Sequence, residues 1–331
     1  MKVDITHLAN RYAGDLMRSP LVSVLIAAYG RADYLNQALK SVLDQTFDDY
    51  EIIVVDDCSP EEVVHAYELP ESATLIRLEK HHGLACPGRN VGIRAARGKY
   101  IAFLDVDDIW LPDKLETQVR ALEQAPDAGL AYCHYIKVDD SLDADPDQRR
   151  VLPARDGYAR GMIVRNLIGA PSCVLARRDV LIECGLFDES LVSCSDWDMW
   201  MRIAARYPLL SDPEPRVLYR SHPGQLSRRR LQRRTAHVQI HDKAMDWIGS
   251  CRPDLRNLVR RSLCRSLRKL AEFQMHCTDD WSQVISLLCR ARRIWPWTPA
   301  TYVLIVEFVF RSLRFQARRR PSADSGGTQC R

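Results

Sequence analysis

A short apolar segment that ends in a cluster of acidic residues places the strongest constraint on how this chain folds. Residues 100–104 are apolar and long enough for a buried strand, and Asp105, Asp107 and Asp108 follow them. Because adjacent carboxylates repel one another and are costly to desolvate, this strand end needs a cation or solvent. Ligands bind at the carboxyl ends of strands in open α/β sheets, and magnesium is held by carboxylates together with substrate phosphates. The pattern indicates a metal–diphosphate site, with a solvated turn before a helix that starts near Asp113 as the alternative.

The segment upstream of this cluster has the pattern of a buried strand followed by an amphipathic helix. Residues 21–28 are apolar and rich in β-branched side chains, as expected of a strand that is buried on both faces. After a turn at 29–32, the spacing predicts a helix whose apolar face is formed by Leu35, Leu39, Val42 and Leu43.

The same alternation continues up to the acidic cluster. A second strand at 51–55 is followed by Asp56 and Asp57, a weaker strand covers 74–78, and a glycine-punctuated segment at 83–92 leads into a short helix. Alternating strands and helices predict a mostly parallel sheet with right-handed crossovers. In such a sheet the two acidic strand ends lie at the same edge.

At this point the sequence resembles the family 2 glycosyltransferases, which have the nucleotide-sugar-binding fold called GT-A. The resemblance runs from about Leu21 to Ser227 and rests on five ordered blocks: VSVLIAAYGRADYLNQALKSVLDQTFDDYEIIVVDDCS, GRNVGIRAARGKYIAFLDVDDIWLPDKLE, GLFDESL, SDWDMWMRIA and YRSHPGQLS. The fold class that it implies is an α/β GT-A domain with a mostly parallel central sheet and a C-terminal helical appendage.

The resemblance implies a set of residues that bind the nucleotide sugar. Around the base, ribose and phosphates these are Ala28, Tyr29, Arg31, Asp57, Arg89, Asn90 and Asp105. Asp57, with Asp56 beside it, matches the acidic residue that accepts a hydrogen bond from the base or ribose. Asp105 matches the ribose-side member of the Asp-x-Asp motif.

The resemblance also implies metal ligands and a catalytic base. Asp107 matches the direct ligand of a divalent metal, Mn²⁺ or Mg²⁺, His222 matches a late histidine that often faces the metal or diphosphate, and Asp108 is expected to support the turn or the following helix. Asp196 falls where the family keeps its base, and Ser195 stands where many members have Glu. An alternative for Asp196 is that it only caps the helix that follows.

These residue types fit one reaction. A metal offsets the negative charge of a leaving diphosphate, and one carboxylate base takes the proton of the attacking hydroxyl. A single base without a carboxylate nucleophile implies single displacement and inversion. Together with the resemblance, this predicts a metal-dependent inverting enzyme of the hexosyltransferase type. Its expected donor is a nucleotide-diphosphate sugar, namely a UDP-sugar. A nucleotidyltransferase that makes the activated sugar and a catalytically silent nucleotide-sugar-binding protein stay open as alternatives.

Cysteine usage and apolar content bear on the cellular compartment. The 331 residues include 11 cysteines without a disulfide framework, no secretory segment is evident, and no run approaches the roughly 20 apolar residues that span a bilayer. These features favour a cytoplasmic protein. His81, His82 and Cys86 lack a second ligand pair at zinc-finger spacing and predict a plain loop instead.

Charge separates the two ends of the chain. From Leu226 onward there are 22 Lys and Arg against 8 Asp and Glu, a balance of +14, so the whole-chain +4 leaves −10 for residues 1–225. We predict an N-terminal extension at 1–20, the GT-A domain at 21–225, a basic helical appendage at 226–318 and a disordered tail at 319–331.

The appendage has the composition of a surface-bound helix near its end. Trp295 and Trp297 precede an apolar run at 302–310, and Arg311 and Arg314 follow. Such a segment suits the headgroup layer of an anionic membrane at the inner face of the plasma membrane. The alternative is an ordinary packed helix.

No recognition motif supports nucleic acid as a partner. The expected acceptor is a glycan or lipid-linked molecule in cell-envelope or extracellular polysaccharide or glycoconjugate assembly.

Overall fold

The chain forms two compact units in the computed structural model. It describes residues 19–144, 158–222, 225, 229–277 and 281–319, with side chains up to Val309. The boundary between the units lies between Arg229 and Arg230, slightly after the position predicted from the sequence. The predicted N-terminal extension and disordered tail lie almost wholly outside the described residues.

The first unit is built on one eight-stranded sheet. Its strands are β1 Val22–Ala28, β2 Tyr50–Asp56, β3 Ala73–Arg77, β4 Tyr100–Asp105, β5 Ile109–Trp110, β6 Leu130–Val138, β7 Val174–Arg177 and β8 Leu209–Arg220. They are arranged in the order β3-β2-β1-β4-β7-β6-β8-β5. The pairs β2–β3, β1–β2, β1–β4 and β6–β8 are parallel, and the pairs β4–β7, β6–β7 and β5–β8 are antiparallel. The predicted mostly parallel α/β sheet is confirmed, and its antiparallel pairs lie beyond β4.

Helices cover this sheet. They are α1 Ala32–Leu43, α2 Glu61–Val64, α3 Ala85–Ala95, α4 Lys114–Gln124, α5 Tyr158–Val164, α6 Arg178–Glu183 and α7 Ser195–Ala204, with a 3₁₀ turn at Pro171–Cys173. The predicted apolar face of α1 is buried at Leu35, Leu39 and Val42. Leu43 is an exception at 52% exposed, because it is the last residue of the helix and the chain turns away there.

The acidic strand ends lie at one edge of the sheet, as the alternation predicts. In the parallel register Ala28 is opposite Asp56, and Ala27 is opposite Asp105. The acidic residues after β2 and β4 therefore flank the end of β1. The predicted residues Ala28, Asp57 and Asp105 lie at this edge.

Two glycines allow the segment before β4 to approach β1 closely. A Cβ on Gly92 of α3 would lie 2.0 Å from Cδ1 of Leu25, and one on Gly98 would lie 2.6 Å from the backbone nitrogen of Ser23. Helix α3 therefore packs directly on the first strand, which brings its first turns to the acidic edge of the sheet.

The second unit is helical. Its helices are α8 Arg230–Cys251, α9 Arg256–Cys277, α10 Trp281–Ile294 and α11 Pro299–Arg319. One core cluster contains Leu263, Leu267 and Leu270 of α9, which follow one another at helical spacing. Within the described residues, none of the helices is long and apolar enough to cross a membrane.

Candidate functional site

The acidic turn after β4 is held by a serine from the distant 3₁₀ turn. Ser172 Oγ accepts a hydrogen bond from the backbone N–H of Asp105 at 3.0 Å and donates one to Asp108 Oδ2 at 2.5 Å. Asp108 is 1% exposed, and burial, followed by the charges of Asp107 and Asp105, raises its pKa well above the ordinary value. These contacts support the expectation that Asp108 stabilises the turn and leaves ligand binding to its neighbours.

The two predicted metal ligands lie side by side. Nε2 of His222 is 3.1 Å from Oδ2 of Asp107, and Nε2 of Gln225 is 3.4 Å from the same oxygen. Burial and then the charge of Asp105 raise the pKa of Asp107. The structure thus brings together one carboxylate and one imidazole that are more than a hundred residues apart in the chain.

Arg220, at the end of β8, is the residue that joins this turn to its surroundings. Its side chain donates hydrogen bonds to the backbone carbonyls of Asp107 at 3.0 Å and Asp140 at 2.9 Å, and to Gln37 Oε1 at 2.8 Å. Its backbone N–H donates to Asp108 Oδ1 at 3.2 Å. Arg220 is only 2% exposed, so it is a buried cation whose side chain bonds to uncharged oxygens. Sequence reasoning missed it, and its place two residues before His222 was the only available signal.

Arg31, one of the residues predicted to surround the base and phosphates, lies over an aromatic ring. Its guanidinium carbon is 3.6 Å from the ring centroid of Tyr34, and its side chain also pairs with Asp33. Tyr34 donates a hydrogen bond to Asp140 Oδ1 at 2.7 Å, and its ring meets that of His222 edge-on at 5.8 Å. Tyr34 therefore links Arg31 to the histidine beside Asp107, although no motif singled it out.

Two of the residues predicted around the nucleotide, Tyr29 and Asp57, contact the loop between β3 and α3. Tyr29 stacks on His81 with ring centroids 3.8 Å apart. The Asp57 carboxylate accepts hydrogen bonds from the backbone N–H groups of His82 and Gly83, each at 3.0 Å, and lies 2.9 Å from His82 Nδ1. The backbone carbonyl of Ala28 accepts from Asp57 N–H at 2.8 Å. Asp57 thus positions the loop that carries His81 and His82. The role of its carboxylate toward a base or ribose stays a prediction.

The two predicted residues of α3 make different contacts. Arg89, 7% exposed, forms an ion pair with Asp105. The side-chain amide of Asn90 is engaged by residues 187–189: it donates to Phe187 O at 2.9 Å and Glu189 Oε1 at 2.8 Å and accepts from Phe187 N–H at 2.9 Å. Asn90 therefore anchors a neighbouring loop, and its contact with a nucleotide stays a prediction.

Asp196 lies in the first turn of α7 next to an asparagine that the sequence did not identify. The capping alternative is not what is observed, because Cys194 holds the N-cap position, in the left-handed conformation at φ 58°. Asn166 Nδ2 donates to Asp196 Oδ2 at 3.0 Å, while Cys86 Sγ lies 2.9 Å from the hydroxyl of Ser195. Burial raises the pKa of Asp196, and the positive charge of Arg89 is the largest effect opposing it.

Comparison with known proteins decides the family. A model of the family described as Glycosyl transferase family 2 matches residues 23–185. An uncharacterized glycosyltransferase of Rickettsia prowazekii is 32% identical over 237 residues, which cover 70% of this chain and 71% of the relative. The chain belongs to the family 2 glycosyltransferases.

Two further comparisons describe the fold and the relatives of this glycosyltransferase. Its fold is similar to that of the S. aureus TarS 1-349 fragment in complex with UDP-GlcNAc, with a TM-score of 0.65 and 16% identity, covering 92% of this chain and 93% of the other. The expected GT-A fold is thereby confirmed. The putative teichuronic acid biosynthesis glycosyltransferase TuaG of Bacillus subtilis is 42% identical over 105 residues, which cover 30% of this chain and 41% of the relative.

In this family 2 glycosyltransferase, Asp107 and His222 fit a divalent metal whose other ligands come from a substrate. Within the described ranges, no group of three or more His, Cys, Asp or Glu side chains converges as a metal cage. Asp107 and His222 supply one oxygen and one nitrogen donor, and Asp107 is a half-buried carboxylate whose pKa is raised by burial and by the charge of Asp105. Because magnesium-type sites combine one or two carboxylates with substrate phosphates, this donor set suits Mn²⁺ or Mg²⁺ together with a diphosphate.

Proposed function

We propose that this glycosyltransferase moves a hexosyl group from a nucleotide-diphosphate sugar to an acceptor hydroxyl by single displacement with inversion. The observation that carries the proposal is the position of Asp196, in the first turn of α7 with Oδ2 of its carboxylate held by Asn166. Burial raises the pKa of Asp196, and the carboxylates of Asp105 and Asp108 are engaged by Arg89 and Ser172. One available base without a second carboxylate nucleophile supports direct attack by the acceptor.

In the proposed reaction, the acceptor hydroxyl gives its proton to Asp196 as its oxygen forms a bond to the anomeric carbon. The bond from that carbon to the diphosphate oxygen breaks, and the nucleoside diphosphate leaves with the electron pair. Asn166 engages Oδ2 of the base, so Oδ1 is the oxygen that we assign to the proton. Arg89, which pairs with Asp105, keeps a positive charge near both the donor side and the base.

Asp107 and His222 would hold the divalent metal of this reaction. When bound, the metal supplies Lewis-acid stabilisation of the charge that develops on the diphosphate. Gln225 orients Asp107 through a 3.4 Å contact, and Arg220 fixes the backbone of the same residue. The protein thus contributes a preorganised pair of ligands, which lowers the cost of reorganisation when the substrate binds.

We propose a UDP-sugar as the donor. The stacked rings of Tyr29 and His81 form a half-exposed aromatic platform at the edge of the sheet, and Arg31 is a partly exposed cation nearby in the chain. A pyrimidine base and a diphosphate are the groups that such a surface fits. The UDP-GlcNAc held by TarS, whose fold is similar, supports this assignment.

We also propose a place for the reaction in the cell. The similarity to TuaG supports transfer to a glycan or lipid-linked acceptor during assembly of a cell-envelope polysaccharide. The ten cysteines that the structure describes are unpaired, which supports the cytoplasmic side of the membrane.

The function is tested by incubating the full chain with Mn²⁺, a panel of UDP-sugars and sugar acceptors while UDP release is measured. We expect turnover with one donor and, by NMR of the product, an anomeric configuration opposite to that of the donor. A product with retained configuration overturns the single-displacement mechanism. Pyrophosphate release from a nucleoside triphosphate identifies a nucleotidyltransferase, and donor binding without turnover identifies a silent binding protein.

A further inference from the structure

Helix α11 of the second unit is apolar on two opposite faces. Its inner face packs on a core cluster through Leu304, Ile305 and Phe308. Its outer face is exposed yet also apolar, with fractional exposures of 45% at Tyr302, 64% at Val303, 53% at Val306 and 46% at Val309. Because a helix that is apolar all round is normally buried, the outer face is the surface to explain.

Aromatic and basic side chains cluster just before this face. Trp297 lies in the connection between α10 and α11 and is 86% exposed, the largest exposure among the large apolar side chains of the described residues. Trp295 beside it is covered by the guanidinium of Arg261, 4.7 Å from the ring centroid. Arg292 and Arg293, in the last turn of α10, are exposed. This succession of basic, aromatic and apolar groups matches the layers from the headgroups to the acyl chains of a bilayer.

The charge of the unit favours an anionic surface. Residues 230–331 contain 20 Lys and Arg against 8 Asp and Glu, a balance of +12. Between Pro299 and Val309 the one charged residue is Glu307, and it is not among the most exposed positions. The apolar strip thus belongs to a unit of net positive charge, a combination that is found in helices that lie in the plane of a membrane interface.

We propose that the outer face of α11, together with Trp297, docks on the surface of an anionic lipid bilayer. Five side chains are far fewer than the roughly 20–30 residues per partner of a stable protein interface, so a second copy of the chain is a poorer occupant. This inference names the partner that would bring the proposed transferase to a lipid-linked acceptor. Its evidence is independent of the donor site.

The test uses the full chain and measures co-sedimentation with phosphatidylcholine vesicles, either pure or mixed with phosphatidylglycerol. The variant replaces Val303, Val306 and Val309 with serine, and the matched control replaces Leu43, Ile182 and Leu231, whose exposures are 52%, 45% and 46%. We expect the wild type and the control to bind the anionic vesicles. Binding should fall as the Debye length shrinks from about 10 Å at 0.1 M salt to about 3 Å at 1 M. The α11 variant should bind on the order of tenfold more weakly or worse, because it loses apolar area that enters the bilayer.

Circular dichroism of the same samples checks that the variants remain helical. Trp297→Ala, which changes a connection and leaves the helix intact, should weaken binding in the same direction. Equal binding of all variants overturns the proposal, as does a wild type that pellets equally with neutral and anionic vesicles. Dimerisation in sedimentation velocity that the α11 variant abolishes would assign the face to a second copy. Vesicle binding and UDP release are measured separately, so failure of one leaves the other standing.

Discussion

Asn166 donates a hydrogen bond to Oδ2 of Asp196 over 3.0 Å, and the orientation of its amide is itself fixed. Its own Oδ1 accepts hydrogen bonds from the backbone N–H groups of Ile168 at 3.1 Å and Gly169 at 3.2 Å. The amide nitrogen is therefore the end that faces the carboxylate. This arrangement makes Asn166 a positioning residue for the proposed base and favours the charged form of Asp196.

Replacing Asn166 by alanine should shift the acidic limb of the pH–rate profile to higher pH. The hydrogen bond from Asn166 lowers the pKa of Asp196, so its loss raises that pKa further, and the base is deprotonated only at higher pH. The measurement is kcat/KM against pH for the wild type, for the variant and for the exposed-site control Asp127→Asn. A purely structural role for Asn166 would lower activity at every pH without moving the limb.

Asp196→Asn should keep donor binding while lowering turnover by about 10²–10⁴, because the amide has a similar shape but cannot take a proton. Donor affinity by calorimetry and UDP release are measured on one sample. A parallel loss of both quantities would make Asp196 a binding or folding residue.

Asp107→Ala should abolish the part of donor binding that depends on Mn²⁺. Oδ2 of Asp107 and Nε2 of His222, the two proposed metal-ligating atoms, are 3.1 Å apart. Without the carboxylate, the diphosphate would lose the cation that bridges it to the protein. Calorimetric titration of a UDP-sugar with Mn²⁺ and with EDTA gives this difference directly. The assignment fails if the variant retains the full metal-dependent gain in affinity.

Arg220→Met should destabilise the first unit by about 3–5 kcal/mol. The backbone carbonyls of Asp107 and Asp140 and Oε1 of Gln37 lose their hydrogen-bond donor, and each unsatisfied buried group costs about 1–3 kcal/mol. The control is Arg120→Met, a change at an exposed position of α4. Urea denaturation of both variants measures the free energy of unfolding. Equal stability of the two variants would mean that the acidic turn does not need the side chain of Arg220.

Lys114→Met should increase stability at neutral pH. Lys114 is 0% exposed, its Nζ lies 4.0 Å from the Trp110 ring centroid, and burial lowers its pKa to about 8. The native cation therefore carries a cost that Met avoids, and we expect a gain of about 1–3 kcal/mol. Above pH 8 the unfolded chain holds this proton more tightly than the native one, so the wild type gains stability up to about pH 10.5.

The difference in the free energy of unfolding between the wild type and Lys114→Met should shrink between about pH 8 and pH 10.5. Thermal and urea denaturation at several pH values measures it. A constant difference would show that Lys114 does not change its protonation between the two states.

Sequence reasoning identified the strands and acidic ends of the first unit because those signals are local. An apolar run that stops at Asp105 is visible within ten residues. The alternation of strands and helices implies parallel strands, and this determines the edge of the sheet at which the run ends. The unexpected exposure of Leu43 has an equally local cause, because a helical spacing does not tell where the helix ends.

The residues that position the site were not predicted, because their contacts join distant parts of the chain. Ser172 and Arg220 reach Asp108 across 64 and 112 positions, and Asn166 reaches Asp196 across 30. A serine, an arginine and an asparagine are ordinary in a sequence, and apart from the place of Arg220 near His222 nothing in their neighbours distinguishes them. Only the folded sheet shows that they share one site.

The separation of Asp108 and Arg220 in the sequence also determines when, during synthesis, the parts of the candidate site become available. During synthesis Asp108 leaves the ribosome 112 residues before Arg220, whose backbone N–H donates a hydrogen bond to its carboxylate. At roughly 5–20 residues per second, this is a delay of roughly 5–20 s. Strands β1 to β4 are available to pair in that interval, while the carboxylates after β4 still face solvent. The proposed metal-binding pair of Asp107 and His222 is therefore complete only after β8, the last strand of the sheet, has been made.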